Sequence, residues 1–199
     1  MRVSNRMSPQ PWTIGPRATV QEALGLMQQH GVRHLPVLEQ GRLVGLVTDI
    51  DLRTAYFPSL LEDLTVADVM KPDPLTIQGQ ESVYQAARII HQHRLTGLPV
   101  MEGEKLVGMI TLADILKVFV ALLGLLEDSS RLDVVLRPGP GSLEEVYGII
   151  RKQGGEVVSV AQLSQDLPRR VYTFRLKKID LEPIVAALEA AGHGTLDLA

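Results

Sequence analysis

Several residue types are scarce or absent in this sequence. Among its 199 residues there is no cysteine, and there are only one tryptophan, four tyrosines and three phenylalanines. The lack of cysteine excludes disulfides, thiolate nucleophiles and cysteine-bound metals, and it is typical of a reducing compartment, so we expect a cytoplasmic location. The 20 basic residues nearly balance the 23 acidic ones, which leaves a net charge of -3. Nucleic acid and anionic membranes attract concentrated Lys and Arg, so we expect neither as a main partner.

Long apolar runs are also missing. The longest, Val118 to Leu126, covers nine residues, whereas a bilayer-spanning helix needs about 20. The composition is nevertheless 45% hydrophobic, which can fill a core in one large domain or two to three small ones. We therefore expect a soluble globular protein with no signal segment and no membrane span.

An internal repeat dominates the first part of the chain. At an offset of 63 positions, residues 7–53 and 70–116 are identical at 18 of 47 positions. The stretch GLVTDID, residues 45–51, returns as GMITLAD, residues 108–114, with Gly, Thr and Asp at the same spacing. The sequence therefore predicts two copies of one structural unit, here called the first and second copies.

Each copy predicts the element order β-α-β-β-α. In the first copy an extended segment around 12–14 precedes a helical pattern from Val20 to Met27 that stops near Gly31. Two apolar runs, 34–38 and 43–48, flank a polar Glu-Gln-Gly-Arg turn and predict a hairpin, after which a second helix begins. One copy alone is too small to bury both faces of its sheet, so we expect the two to pack together.

The rest of the chain follows another pattern. Residues 112–128 predict a helix rich in Leu and Val that serves core or subunit-interface packing. The following elements are a strand (132–137), a helix opened by a capping box at 142–145, a hairpin (156–163 and 170–176), a helix capped by Asp180 through 191, and a last strand after Gly194. This βαββαβ order is ferredoxin-like. The fold class is therefore α/β (α+β), with domains at 1–62, 63–125 and 126–199.

The repeated threonine and aspartate mark the starts of helices. Thr48 with Asp51, and Thr111 with Asp114, have the spacing of an N-cap and an acidic N3 residue, so a near capping box explains them without any ligand. The same residue types also suit a nucleotide, because a hydroxyl can bond a phosphate and a carboxylate can accept ribose hydroxyls. The spacing alone favours a structural cap, which does not exclude a nucleotide clamp, and its repetition beside Gly45 and Gly108 supports the clamp.

Other chemistry has little support in the sequence. His91 and His93 are two residues apart on a helix, so they cannot chelate one metal as an i, i+4 pair could. Asp49 and Asp51 suggest a carboxylate pair, but the second copy has Leu112 in place of Asp49. There is no serine nucleophile elbow and no G-x-x-x-x-G-K-[ST] loop. We therefore expect neither an enzyme nor a metal or catalytic cofactor.

The repeat resembles a tandem pair of cystathionine-β-synthase (CBS) domains, or Bateman module. Each copy has M-x-P at its start, LPV in its middle and G-h-h-T-x-x-D at its end, where h is apolar, and the resemblance covers about residues 7–120. It implies two units about a pseudo-twofold axis, with adenine, ribose and phosphate bound in two clefts between them. The residues that it implies are Thr48, Asp51, Thr111 and Asp114 for ribose and phosphate, and Ile14, Leu35, Val37, Ile77, Leu98 and Val100 beside the adenine.

The two clefts are expected to differ in charge. The first copy has Arg33, His34 and Arg53, whereas the second has Thr96, Gly97 and Leu116 at the same offsets. If the side chains point as the resemblance implies, Arg33, His34 and Arg53 belong to the first nucleotide site and meet phosphate there. Basic residues that cross over from the other copy, for example Arg17 or Lys117, are the alternative.

The βαββαβ order and Pro140-Gly-Ser-Leu143 in its first loop make residues 131–199 resemble an ACT domain. This resemblance implies amino-acid binding near Gly141 or a dimer contact alone. The order CBS, CBS, ACT is similar to the acetoin-utilisation protein B family, regulators of acetoin and acetyl-CoA metabolism. We therefore expect a homodimeric, non-catalytic regulator that senses AMP, ADP, ATP or S-adenosylmethionine and acts on a separate target protein. A structural dimerisation protein with amino-acid sensing, and a small nucleotide-converting enzyme, are the other two interpretations.

Overall fold

The computed structural model describes residues 1–54, 64–125, 128–163 and 170–196. The chain divides into two compact units, Met1–Leu116 and Lys117–Ala199. Both sequence copies belong to the first unit. The three-domain division at 62 and 125 remains a prediction.

The repeated part of the chain contains the β-α-β-β-α order twice, as predicted. The first copy has β1 (Ser8–Pro9), α1 (Val20–His30), β2 (His34–Glu39), β3 (Arg42–Thr48) and α2 (Asp49–Thr54). The second has α3 (Val66–Val69), β4 (Lys71–Pro72), β5 (Ile77–Gln78), α4 (Val83–His93), β6 (Gly97–Glu102), β7 (Lys105–Thr111) and α5 (Leu112–Leu122). The extended segment predicted at 12–14 is reduced to one bridge, between Ile14 and Val37.

Local sequence explains the boundaries of α1. Thr19 and Glu22 form a capping box at its start, and Gly31 takes a left-handed conformation with φ 63° at its end. The N–H of Val32 donates to the carbonyl of Met27, which closes a Schellman motif. The stop at Gly31 is the one that the sequence predicted, whereas the capping box at Thr19 was not predicted.

The two copies exchange their first strands, an arrangement here called crosswise pairing. One sheet has the order β2-β3-β4 and the other β1-β7-β6-β5. Thus β4, which opens the second copy, pairs antiparallel with β3 of the first, and β1, which opens the first copy, pairs with β7 of the second. The M-x-P segment of each copy therefore completes the sheet of the other, an exchange that the sequence did not predict.

The hairpin strands of the first copy supply its core. In β2 the three residues of the LPV segment are buried, and so are Gly45, Leu46 and Val47 in β3. Near-continuous burial of this kind is typical of a strand covered on both faces. The core cluster consists of Val20, Ala23, Met27, Leu35, Val37, Val47, Leu52 and Val66.

The second unit has the predicted βαββαβ order. Its elements are β8 (Ser129–Val135), α6 (Ser142–Lys152), β9 (Val157–Gln162), β10 (Val171–Lys177), α7 (Glu182–Ala190) and β11 (Gly194–Leu196). The strands form one antiparallel sheet in the order β11-β8-β10-β9. A core centred on Phe174, Ile150 and Leu188 connects this sheet to both helices. This is the ferredoxin-like topology.

The helix predicted at 112–128 is too long. The structure ends α5 at Leu122, because Gly124 turns left-handed with φ 65°. The Gly124 N–H then donates to the Ala121 carbonyl and the Leu125 N–H to the Val120 carbonyl, which is a Schellman cap. Residues 126 and 127 lie outside the described part of the chain.

The capping box predicted at 142–145 is also wrong. The N-cap of α6 is Gly141, with φ 76° and no side-chain cap. The Ser142 hydroxyl instead donates to the carbonyls of Arg137 and Gly139, and Glu145 pairs with Arg137 at 2.8 Å. At α7 the N-cap is Leu181, which has no side-chain cap. The predicted cap Asp180 lies one residue earlier, and its carboxylate accepts from the Glu182 N–H at 3.1 Å.

Candidate functional site

Each repeated threonine and aspartate forms a reciprocal cap at the junction of a strand and a helix. Asp51 Oδ2 accepts from the Thr48 N–H at 3.0 Å and from the Thr48 hydroxyl at 2.6 Å, while the Asp51 N–H donates to Thr48 Oγ1 at 3.3 Å. The second copy repeats this arrangement between Thr111 and Asp114, at 2.9, 2.6 and 3.3 Å. The structural interpretation of the spacing therefore holds at both positions.

Two further pairs show that this geometry is not specific to a ligand site. Thr19 with Glu22, and Thr65 with Asp68, form the same reciprocal capping box. Asp68, however, is exposed, and its pKa is held below the usual value by the hydrogen bonds from Thr65. Asp51 and Asp114 are half-buried instead. Partial burial of the aspartate distinguishes the two candidate sites from the exposed cap at Asp68. The T-x-x-D spacing does not distinguish them, because Thr65 and Asp68 share it.

The crosswise strands place residues of one copy beside the site of the other. A Cβ on Gly45 would overlap the thioether of Met70, and a Cβ on Gly108 would overlap that of Met7. Each glycine of the G-h-h-T motif is therefore required by the methionine of the other copy's M-x-P segment. Neither methionine was predicted to approach a site.

The crossing segment of the second copy also brings a charge to the first site. The Lys71 ammonium lies 3.5 Å from Asp51 Oδ1, which is the oxygen that the cap leaves free. Pseudosymmetry puts Ser8 at the corresponding place near Asp114. Among the described residues Asp114 has no ion pair. Lys71 is thus a basic residue that crosses over, at the variable position of M-x-P, whereas the sequence analysis named Arg17 and Lys117 for that role.

His34 lies between the two copies. It is opposite Thr48 in the β2–β3 register, and its Nε2 is 2.7 Å from the Thr96 hydroxyl of the second copy. Burial lowers the pKa of His34 below 6.5, and nearby Asp49 and Asp51 oppose that shift. The lowered pKa and the bond to Thr96 both make His34 a weaker phosphate ligand than a protonated, unpaired imidazole would be.

The two predicted arginines of this site remain exposed. The side chain of Arg33 is in solvent, and its carbonyl accepts from the Asp49 N–H at 3.1 Å. Arg53 is exposed in the last turn of α2. The structure thus brings Thr48, Asp51 and His34 together with Lys71, and it leaves both guanidinium groups in solvent.

The apolar residues predicted beside the adenine are mostly core residues. Leu35, Val37, Leu98 and Val100 are 0% exposed and Ile77 is 4% exposed. Ile14 is half-buried and packs against the first core, where its N–H donates to the Pro36 carbonyl. Contact between these residues and a ligand remains a prediction.

Gly141, the residue predicted for amino-acid binding, lies exposed in the loop between β8 and α6. The same loop is held by the buried His193, whose Nδ1 accepts from the Arg137 N–H at 3.3 Å. The Nε2 of His193 is 3.3 Å from Glu145.

The described residues contain no group of three His, Asp or Glu that could hold a metal ion. In the same part of the chain, no helix has the length and apolar character to cross a membrane.

Comparison with known proteins gives the family. The CBS domain model matches residues 3–57 and 66–121, which together are more than half of the chain. The chain therefore belongs to the CBS domain family and carries two CBS domains, as the motifs predicted. The CBS domain-containing protein YhcV of Bacillus subtilis is 34% identical over 114 residues, 57% of this chain and 81% of YhcV.

Some relatives are enzymes, but the likeness covers a small part of them. The inosine-5'-monophosphate dehydrogenase of Korarchaeum cryptofilum is 36% identical over 104 residues, which are 52% of this chain and 21% of that enzyme. The activity of that dehydrogenase is not carried over by a match of this extent.

Solved structures share the fold of the CBS pair. CBSX2, from Arabidopsis thaliana, in complex with AMP is 28% identical, with a TM-score of 0.54, over 60% of this chain and 96% of that one. The CBS pair of MJ0100, with 5'-methylthioadenosine and S-adenosylmethionine, is 26% identical, with a TM-score of 0.56, over 61% and 97%. An acetoin utilization protein (AcuB) from Vibrio cholerae is 30% identical, with a TM-score of 0.56, over 65% and 97%.

Proposed function

We propose that this protein is a non-catalytic regulator that binds adenine nucleotides or S-adenosylmethionine at the two T-x-x-D sites of its CBS pair. The observation that carries the proposal is the pair of equivalent carboxylates, Asp51 and Asp114. In each, Oδ2 is used by the cap, so Oδ1 has lone pairs that can accept ribose hydroxyls, and at Asp51 it does so beside the Lys71 ammonium. The ligands named for the neighbouring structures, AMP, S-adenosylmethionine and 5'-methylthioadenosine, all contain adenosine.

The proposed regulator acts as a homodimer on a separate target protein in the cytoplasm. The likeness to AcuB at 30% identity supports acetoin and acetyl-CoA metabolism as the regulated process. No step of catalysis is assigned to the chain.

An ACT-like role of the C-terminal domain forms the second part of the proposal. Its support is the ferredoxin-like strand order β11-β8-β10-β9 and the exposed loop at Gly141, tied down by Ser142 and His193. If this loop binds an amino acid and the CBS sites stay empty, the protein is instead a dimerisation protein with amino-acid sensing.

Thermal unfolding of the full chain with AMP, ADP, ATP, S-adenosylmethionine and each common amino acid separates these functions. A ligand at 100 times its Kd stabilises the folded state by about 2.7 kcal/mol. Stabilisation by an adenine ligand is the expected result. Stabilisation by amino acids alone would favour the alternative, and product analysis showing turnover of ATP would contradict the non-catalytic assignment.

A further inference from the structure

We propose that Lys71 makes the two CBS sites selective for different ligands. The Asp51 site selects adenosine ligands that carry a 5'-phosphate, and the Asp114 site selects adenosine ligands without a phosphate, including cationic ones. This inference rests on the proposed function, because it assigns a ligand class to each of its sites. The selectivity is assigned to the residue that the M-x-P segment of one copy places beside the aspartate of the other copy.

The two aspartates are held in the same way by their own copy. In both sites Oδ2 accepts from the backbone and hydroxyl of the threonine, with distances that agree within 0.1 Å. Both carboxylates are half-buried. Within one copy, therefore, the hydrogen bonds of the cap give no reason for the two aspartates to prefer different ligands.

The remaining oxygen meets different neighbours in the two sites. Asp51 Oδ1 faces the ammonium of Lys71 at 3.5 Å. The residue equivalent to Lys71, 63 positions earlier, is the uncharged Ser8. Among the residues that the structure describes, no cation is paired with Asp114. The difference follows from the crosswise pairing of β4 with β3 and of β1 with β7.

Lys71 can exchange its partner at little cost. Its side chain is 65% exposed, and an ion pair that open to solvent contributes little to stability. A lysine ammonium is a compact charge on a flexible stem. When ribose hydroxyls bind Asp51, the ammonium can turn from the carboxylate to a phosphate of the same ligand. A ligand without phosphate displaces Lys71 and offers the ammonium no new anion.

Cationic ligands experience the opposite preference. A sulfonium group or ammonium group near Lys71 is repelled, whereas near Ser8 it meets no fixed positive charge from the crossing segment and has the Asp114 carboxylate close by. The exposed Arg33 and Arg53 add positive charge on the Asp51 side, where the second copy has Thr96 and Leu116. Asp49, where the second copy has Leu112, and Lys117, where the first copy has Thr54, act in the opposite direction, so the proposed selectivity depends on Lys71.

Exchange of the two residues tests the assignment. Titration calorimetry with AMP, adenosine and S-adenosylmethionine is carried out on the full chain and on Lys71→Ser, Ser8→Lys and Lys71→Arg. Asp51→Ala and Asp114→Ala assign each binding event to its site. Lys71→Ser should weaken AMP binding at the Asp51 site about tenfold and change adenosine binding less than about twofold. Ser8→Lys should strengthen AMP and weaken S-adenosylmethionine at the Asp114 site.

Two outcomes overturn the inference in distinguishable ways. If the unaltered protein binds no adenine ligand, the proposed function fails and the inference fails with it. If the unaltered protein binds but Lys71→Ser weakens AMP and adenosine equally, Lys71 only positions Asp51 and the selectivity assignment is wrong. Lys71→Arg keeps the charge and should retain most of the preference for AMP, which separates a charge effect from a packing effect.

Discussion

The thioether of Met7 occupies the space that a Cβ on Gly108 would need, although the two residues belong to opposite copies of the repeat. Met70 and Gly45 repeat the relationship in the other direction. The glycine at the start of each G-h-h-T-x-x-D motif is thus a packing requirement set by the other copy. It keeps the crossing strand within hydrogen-bonding distance of the strand that leads to each aspartate.

Gly108→Ala should destabilise the protein by about 1–3 kcal/mol, because overpacking of a buried position displaces its neighbours. The effect should exceed that of Gly45→Ala, since a Cβ on Gly108 would lie 3.0 Å from the rigid Ser8 carbonyl, whereas a Cβ on Gly45 would lie 3.3 Å from that of Lys71. Urea unfolding gives both values.

The matched control is Gly25→Ala in α1. A Cβ there meets nothing within 4 Å, so the substitution should stabilise the helix by about 0.5–1 kcal/mol. Combining Met7→Ala with Gly108→Ala should cost less than the sum of the two single changes. Strict additivity would show that the thioether is not what excludes a side chain.

Asp51→Ala should weaken AMP binding by about 10- to 150-fold, the loss expected when a charged hydrogen-bond partner is removed. Asp68→Ala is a matched control, because Asp68 forms the same reciprocal cap with Thr65 but is exposed. Both variants lose a helix cap, so their melting temperatures should fall alike. Equal AMP affinity in the two variants would mean that Asp51 is only a cap.

Stability should decline below pH 6.5 because of His34. Burial lowers the His34 pKa in the folded state, against 6.5 when it is unfolded, so the unfolded chain binds the extra proton first. The folded state is therefore favoured above pH 6.5, and this advantage is lost as the pH falls from 6.5 toward the lower folded pKa. The groups that act on His34 are Asp49 and Asp51, which raise the pKa, and Arg33, which lowers it.

Urea unfolding at about pH 7.5 and 5.5 tests this dependence. His34→Gln keeps a hydrogen-bonding group near Thr96 and removes the titration, so it should lose less stability on acidification than the unaltered protein. His91→Gln, at an exposed position of α4, should behave like the unaltered protein. An unchanged slope in His34→Gln would assign the acid sensitivity to other groups.

The expected homodimer should depend on the apolar face of α5. Leu112, Leu116, Phe119 and Leu122 are between 41% and 60% exposed, and an apolar stripe of this kind is typical of an interface. Light scattering should give about twice the 21.8 kDa chain mass. Leu116→Glu should give a monomer, whereas Ile50→Glu, at an exposed position of α2, should not. A monomeric unaltered protein at micromolar concentration would contradict the prediction.

Local signals account for the parts of the fold that were predicted correctly. The capping box at Thr19 and the left-handed Gly31 bound α1, and Gln40 and Gly41, with φ 50° and 80°, form the turn of the first hairpin. The errors came from residues with more than one possible partner. Ser142 has the spacing of a cap but bonds loop carbonyls instead, and Gly124 ends α5 inside a sequence that stays apolar beyond it.

The two copies, the order of their elements and the positions of the four T-x-x-D residues could be derived from the sequence alone, because periodicity, turn residues and caps act over a few neighbours. What faces those residues was set by the tertiary structure. The approach of Lys71 to Asp51, the bond between His34 and Thr96 and the packing of each methionine on the other copy's glycine all follow from the crosswise pairing of strands. That pairing joins segments far apart in the chain, so it depends on how two sheets bury their faces together and not on any local pattern.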